Sequence, residues 1–299
     1  MLASAPTPVS AVRGDKVVCY GDNCYICVMI IQFTKMEGAG NDYIYVDASR
    51  FPVEDPAALS RRLSDRHFGI GADGLVLICP SEVADFRMRM YNADGSEGLM
   101  CGNAARCIGK FVHDKGLLDG RSELTLETLS GIKTIKLHTG ADGCVDRASV
   151  GMGSFRASEP LAINLNGRSV EGISVDVGNP HFIIFVPDAS GVNPALLGPA
   201  IERHPSFPDR TNVEFVSLEA PASAGSPGRL RMRVWERGSG ITLACGTGAC
   251  ASAAAASLRF GGTCYEVACD GGTLRVDVSD SELVLSGPAR TVFEGTIQI

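Results

Sequence analysis

Apolar and polar positions alternate from Ile31 to Thr34 within Ile30–Lys35, Tyr43–Asp47 is an apolar run closed by Asp47, and EGAGND (37–42) between them forms a glycine turn. These patterns predict two strands with a tight connection. The period lengthens over Pro56–Phe68, where Leu59, Leu63 and His67 recur every four residues and Gly69 follows, which predicts a helix. After a GIGADG loop (69–74), Leu75–Cys79 is an apolar run and Phe86–Tyr91 alternates into the turn NADGSEG. From Gly102 to Lys115, Ala105, Ile108, Phe111 and Val112 share one helical face, and Gly116 ends it. Glu123–Glu127 and Ile132–Leu137, separated by TLSG, predict a hairpin.

The same order is then written a second time. RMRMYNADGSEGLMCGNAARCIGKFV (87–112) aligns with RMRVWERGSGITLACGTGACASAAAASLRF (231–260) at an offset of 144 (231 less 87), pairing Asn92 with Glu236 and Cys101 with Cys245. AGNDYIYVDAS (39–49) aligns with VGNPHFIIFVPD (177–188) at an offset of 138 (179 less 41), pairing Asn41 with Asn179. A short helix over Asn193–Arg203, a strand over Thr211–Leu218 and a hairpin over Tyr265–Cys269 and Thr273–Val278 complete the repeat. The pattern predicts an α+β fold of two pseudo-symmetric domains from an internal duplication, each a curled, mostly antiparallel sheet around a central helix. Small side chains on every face of the Ala-rich helix before Gly261 suit enclosure by a sheet.

Residues 1–28 stand outside this duplication. They show no clear period and no secretory-signal layout, and are expected to form a disordered leader, with Met29 a natural beginning. Cys19, Cys24 and Cys27 have the C-x4-C-x2-C spacing of plant-type iron–sulfur ligands, but the rest of that framework is missing.

Composition narrows the class. Hydrophobic content of 45% and charged content of 20% describe an ordinary globular protein, and a net charge of −7 argues against nucleic acid or an anionic membrane as partner. Eleven cysteines, an odd number without a signal peptide, read as reduced thiols in the cytoplasm. Gly238–Leu258 is uncharged over 21 residues, yet its four glycines and many Ala, Ser and Thr make it too polar for a membrane span.

Cys101 and Cys245 each stand immediately before a predicted helix. The first N–H groups of a helix lack intrahelical partners and carry partial positive charge, which favours a thiolate there and offers a dock for a carboxylate at Gly102–Asn103 and Gly246–Thr247. Glycine at 102 and 246 lets a ligand approach the backbone closely. Two sulfurs on opposite faces of one carbon could exchange its proton, one as thiolate base and the other as thiol acid. The bland alternative is a pair of packed cysteines, the reading given to Cys79, Cys107, Cys144, Cys250, Cys264 and Cys269.

Through FTKMEGAGNDY, DRHFGIGADG, YNADGSEGLMCGNAARC, VGNPHF, RTNVEF and WERGSGITLACGTGAC, the sequence from about Met29 to Ile299 resembles the diaminopimelate epimerases. The resemblance implies cofactor-independent epimerisation of LL- to meso-diaminopimelate, for lysine and peptidoglycan precursors, without metal or pyridoxal phosphate. It places the catalytic thiols at Cys101 and Cys245, an auxiliary histidine at His181, and substrate-binding asparagines at Asn41, Asn92, Asn179 and Asn212. Glu236 and Arg237 match the family's Glu-Arg pair, and Gly102, Asn103, Gly246 and Thr247 its carboxylate-holding backbone. Glu236 would receive an ammonium and Arg237 would grip the distal carboxylate in bidentate form. Domains are expected at 29–147, joined by a returning strand at 288–299, and at 148–287. The resemblance implies a small-molecule substrate, no nucleic acid and no membrane, and allows a homodimer. Gly74 departs from members with glutamine there, and Ala104 from those with glycine.

Three rivals remain in view. A proline or hydroxyproline racemase would use two thiols but have no need of Glu236 and Arg237. A thiol redox protein would join Cys101 to Cys245, which requires Cα atoms within about 7 Å, and would not need the Asn-Glu-Arg set. A metal-binding module lacks paired Cys/His spacing in the body of the chain.

Overall fold

The structure is a computed structural model that describes residues 15–19, 25–165 and 167–299. In chain order the first half runs β1 (Asp15–Cys19), β2 (Tyr25–Gly38), β3 (Asn41–Asp47), α1 (Pro56–Ser64), β4 (Gly74–Cys79), β5 (Phe86–Asn92), β6 (Glu97–Gly98), α2 (Gly102–Asp114), β7 (Glu123–Thr128), β8 (Gly131–Thr139) and β9 (Val145–Gly153). The second half follows with β10 (Arg156–Ala157), β11 (Leu161–Leu165), β12 (Arg168–Asp176), β13 (Pro180–Phe185), α3 (Pro194–Glu202), β14 (Asn212–Ala220), β15 (Gly228–Glu236) and β16 (Gly240–Ile241). It ends with α4 (Gly246–Phe260), β17 (Cys264–Cys269), β18 (Gly272–Val278), β19 (Leu283–Pro288) and β20 (Arg290–Gln298).

The duplication is visible strand by strand. β2–β3 is antiparallel, β3–β4 parallel, β4–β5 antiparallel, β5–β7 parallel, and β7–β8–β9 antiparallel. β12–β13, β13–β14, β14–β15, β15–β17 and β17–β18–β19 repeat that sequence of senses without change. The two halves join where β9 pairs antiparallel with β19, and β20 returns to pair with β2.

Each half folds its sheet round one helix. In α2 every residue from Gly102 to Val112 is buried, and in α4 every residue from Gly248 to Ala256. Ile108 packs with Leu126 and Val150, and the alanines of α4 lie among Val216, Val267 and Leu285, in one shared core. Strand β3 shows how the second helical layer is recruited. Tyr43 and Tyr45 face that core, whereas Ile44 and Val46 face Leu59 and Leu63 of α1 on the other side. Alternation along a strand gives it two apolar faces here, so both must be covered.

Several elements differ from expectation. α1 stops at Ser64 instead of running to Phe68, because the Asp65 carboxylate accepts the backbone N–H groups of His67 and Phe68 and turns the chain. Strands β9 to β12 and β19 have no counterpart among the predicted elements. Part of the segment expected to be a disordered leader is strand: β1 pairs antiparallel with the first residues of β2, Asp15 opposite Met29 through Cys19 opposite Tyr25. The β-branched content of DKVVC and YICVMII fits extended pairing. Cys24 lies outside the described residues.

The enclosure of α4 leaves no room for a larger side chain. Ala253, Ala254 and Ala255 are fully buried, whereas Leu258 on the next turn is exposed. Ala254→Leu should cost about 1–3 kcal/mol of stability by overpacking, and Leu258→Ala close to nothing, as read by equilibrium denaturant unfolding.

Candidate active site

Helices α2 and α4 begin at Cys101 and Cys245, which hold extended N-cap backbone with φ near −133° and −120°. Both cysteines open onto one cleft of about 660 Å³ between the two halves. The helix ends almost touch. A Cβ at Gly246 would lie 4.0 Å from Gly102 Cα and 3.1 Å from Leu285 Cδ2, and one at Gly102 would fall 2.8 Å from that same methyl. Glycine at both places keeps the Leu285 methyl from being pushed aside. What results is two helix N-termini converging on one cleft, each with N–H groups free for an anion.

The thiols do not have the depressed pKa that helix N-termini alone would give. Burial pushes Cys101 above the usual thiol value, against the N–H groups of Ala104 and Asn103 and the Arg106 guanidinium, which pull it down. Cys245 is pushed well above, by burial first and then by the Glu236 and Glu214 carboxylates, with Thr247 and Gly248 opposing. Desolvation wins because both sulfurs sit in the apolar core where the two helices start. Cys107 and Cys250, deeper in α2 and α4, are fully buried and rise to about 11 and about 12, as packing cysteines should.

Polar side chains ring the sulfurs. Asn41, at the start of β3, donates to Asp73 Oδ2 at 2.8 Å, and its Oδ1 lies 3.4 Å from Cys101 Sγ. Asn179 occupies the duplicated position, its Nδ2 at 3.4 Å from Thr247 Oγ1, which in turn lies 3.4 Å from Cys245 Sγ. The Gly248 N–H also donates to Cys245 Sγ, at 3.3 Å. Asn103 accepts from buried Arg106 at 2.7 Å, and Asn92 donates to Ser96 at 2.9 Å.

Asn212 anchors the residue beside the cleft's acid. It donates to the Pro180 carbonyl and accepts the Arg237 backbone N–H, both at 2.9 Å. Burial raises the Glu236 carboxyl, with the Thr242 hydroxyl bond opposing and nearby Glu214 adding to the rise. The Arg237 guanidinium rests on the Asp209 carbonyl at 2.9 Å, leaving donors for a ligand at the rim.

Of the residues expected at the site, Asn41, Asn92, Cys101, Gly102, Asn103 and Asn179 line this cleft, as do Asn212, Glu236, Arg237, Cys245, Gly246 and Thr247. His181 does not. Buried on β13, it stands behind Asn179, with Nε2 3.0 Å from Asn179 Oδ1, so its placement is that of a supporting residue. At the equivalent place in the first half, Tyr43 lines the cleft instead. Nothing in its residue type marked Tyr43, but the offset of 138 that pairs it with His181 could have found it. Gly74 is explained by the same tyrosine, since a Cβ there would fall 2.8 Å from the Tyr43 ring and 2.0 Å from the Tyr91 carbonyl oxygen. Lys133 and Met152, also unanticipated, close the far wall.

The diaminopimelate epimerase family model matches residues 33–156 and 173–292. The chain belongs to the diaminopimelate epimerase family. The diaminopimelate epimerase of Phocaeicola vulgatus is 52% identical over 284 residues, covering 90% of this chain and 99% of that one. Among solved structures, a Bacillus anthracis protein of the phenazine-biosynthesis PhzF family superposes with a TM-score of 0.68 at 19% identity, covering 90% of this chain and 99% of its own. A hydroxyproline epimerase from Agrobacterium vitis gives 0.64 at 16%, covering 90% and 93%. At such identities the two structures report the two-domain fold alone.

As a member of the diaminopimelate epimerase family the chain is an amino-acid epimerase, and the state of its thiols can be tested directly. In substrate-free protein, alkylation of Cys101 and Cys245 by iodoacetamide should still be accelerating above about pH 9, because burial holds both thiols above the usual thiol range. Rates that level off by about pH 8, read by mass spectrometry of each cysteine peptide, would mean low-pKa thiolates instead.

Proposed function

We propose that this protein interconverts LL- and meso-diaminopimelate with Cys101 and Cys245 as paired acid and base. The observation that carries the reading is the convergence of two duplicated, cysteine-headed helix N-termini on one cleft. The substrate's α-carboxylate would dock on the N–H groups of Gly102–Asn103 and Gly246–Thr247. One thiolate takes the α-proton, the electron pair left behind spreads into the carboxylate as an enediolate, and the opposite S–H returns a proton to the other face. The helix ends stabilise the developing charge, a task that calls for neither metal nor pyridoxal phosphate. Thiols raised by burial suit a site that ionises its base only when the substrate's ammonium group comes beside the sulfur.

At the other end of the substrate, Arg237 supplies a bidentate donor for the distal carboxylate and Glu236 an acceptor for an ammonium, with Asn92, Asn179 and Asn212 as neutral partners. That set favours diaminopimelate over proline or hydroxyproline, whose racemisation leaves no distal amino-acid group to hold. Asn41 and Asn179 would steady the two sulfurs from either side. We place the domains at 29–147 with 288–299, and at 148–287. As partners we propose a small molecule, with neither nucleic acid nor membrane, and a cytoplasmic location; a homodimer fits the same reading.

The primary test is incubation with LL-diaminopimelate without added cofactor and detection of the meso form. Each of Cys101→Ser and Cys245→Ser should stop epimerisation while one of them, for a given stereoisomer, still exchanges the α-hydrogen with deuterated water. Which variant keeps exchange should reverse between the LL and meso substrates, as read by proton NMR; matching exchange on both would overturn the two-base reading. Arg237→Lys should lower kcat/KM by at least about tenfold, because an ammonium cannot reproduce two parallel guanidinium bonds. A loss under about twofold would remove Arg237 from the distal-carboxylate role.

A further inference from the structure

Glu214, on β14, is a fully buried carboxylate that the reaction outlined above does not use. Its Oε1 lies 2.7 Å from His181 Nδ1, and its Oε2 has no hydrogen-bond partner among the described residues. The first turn of α4 lies directly against it. A Cβ at Gly248 would fall 2.6 Å from Glu214 Oε1 and 3.3 Å from Cys245 Sγ, so only glycine lets the helix start this close to the charge. From Glu214 the contacts run through His181 to Asn179 Oδ1, from Asn179 to the Thr247 hydroxyl, and from there to Cys245 Sγ. Cys245 is therefore approached by Glu214 from two sides: through space past Gly248, and through a file of three polar side chains.

The duplication shows that this arrangement serves one thiol. The parallel pairing of β13 with β14 sets His181 opposite Asn212, and the pairing of β3 with β4 sets Tyr43 opposite Gly74 in the same register. Two residues on from Asn212 is Glu214; two on from Gly74 is Val76, which is apolar and buried. Tyr43 and Val76 thus stand on the Cys101 side where His181 and Glu214 stand on the Cys245 side.

We propose that Glu214 is a positioning residue dedicated to Cys245: with His181 it fixes Asn179 and Thr247 around that sulfur, and its carboxylate, beside that of Glu236, disfavours a negative charge there. The inference rests on the two-thiol reading and deepens it, since it makes Cys245 the acid of the resting enzyme. The charged and titratable groups facing Cys245 are Glu214 from β14, His181 from β13 and Glu236 from β15, whereas the cation Arg106 of α2 lies toward Cys101. Removing the Glu214 carboxylate leaves Glu236 as the remaining acid against the sulfur, opposed by the N–H of Gly248 and the hydroxyl of Thr247, both of which favour thiolate.

The test follows each thiol separately in the intact, substrate-free protein by iodoacetamide labelling and mass spectrometry at fixed pH. Glu214→Gln should label Cys245 at least about threefold faster and leave Cys101 within about twofold of wild type. Glu214→Asp, which keeps the charge, should restore the wild-type ratio. Should the Gln variant fail to fold, His181→Leu gives the opposite sign: with its hydrogen-bond donor gone the carboxylate acts unopposed, and Cys245 should label at least about twofold more slowly. An unchanged Cys245 rate, or equal acceleration of both thiols, overturns the proposal. Because labelling needs no substrate, a wild-type protein that leaves LL-diaminopimelate unchanged would overturn the functional reading alone.

Discussion

Two helices of the same polarity meet head to head in this molecule, and that contact governs the rest. The N-termini of α2 and α4 come within van der Waals reach at Gly102 and Gly246, where a Cβ on either would press on the same Leu285 methyl. Like partial charges repel, so such a meeting is tolerated only where neighbouring groups hold the helices in place or an anion lies between them. Here the holding is done by a continuous run of strands, in which β9 and β19 bind the halves edge to edge behind the two helix starts.

The thiol chemistry is shaped by the same constraint. A cysteine at a helix start should ionise easily, and sequence alone argues that way. The structure gives each sulfur the favourable N–H groups but also sets it in the core that both helices share, and desolvation outweighs the field. The balance tips differently in the two halves, because carboxylates crowd Cys245 and a buried guanidinium lies toward Cys101. Pseudo-symmetry of the backbone has been kept while symmetry of charge has not.

Much of this was legible in the chain. The repeat at 144 residues places Cys101 opposite Cys245, and glycine after each cysteine marks a close approach before any coordinate is known. The enclosed helix could be read from consecutive alanines, since no other role suits a helix small on every face. The interior was harder. Strands β9 to β12 and β19 carry their apolar residues among glycines and polar residues, as in VDRASVGMG, and become recognisable only through their partners. His181 illustrates the limit at the site. Its residue type invites a place against substrate, yet β13 aims it inward to the β14 carboxylate, an outcome set by the register between two strands and invisible in either alone.

The return of β20 to β2 bears on how the molecule comes into being. Ile30 pairs with Gln298 and Phe33 with Gly295, so the first sheet receives its outermost strand from residues that follow the whole second half in the chain. Until then β2 presents a bare edge, the kind of surface on which a nascent chain adds a wrong strand or a neighbour's. Everything between, including all of the second half, must be made and kept from intruding while that edge waits. Contacts that span nearly the full length of a polypeptide form slowly, because the loop they close is so long. The first sheet is therefore closed only after the second half has been made.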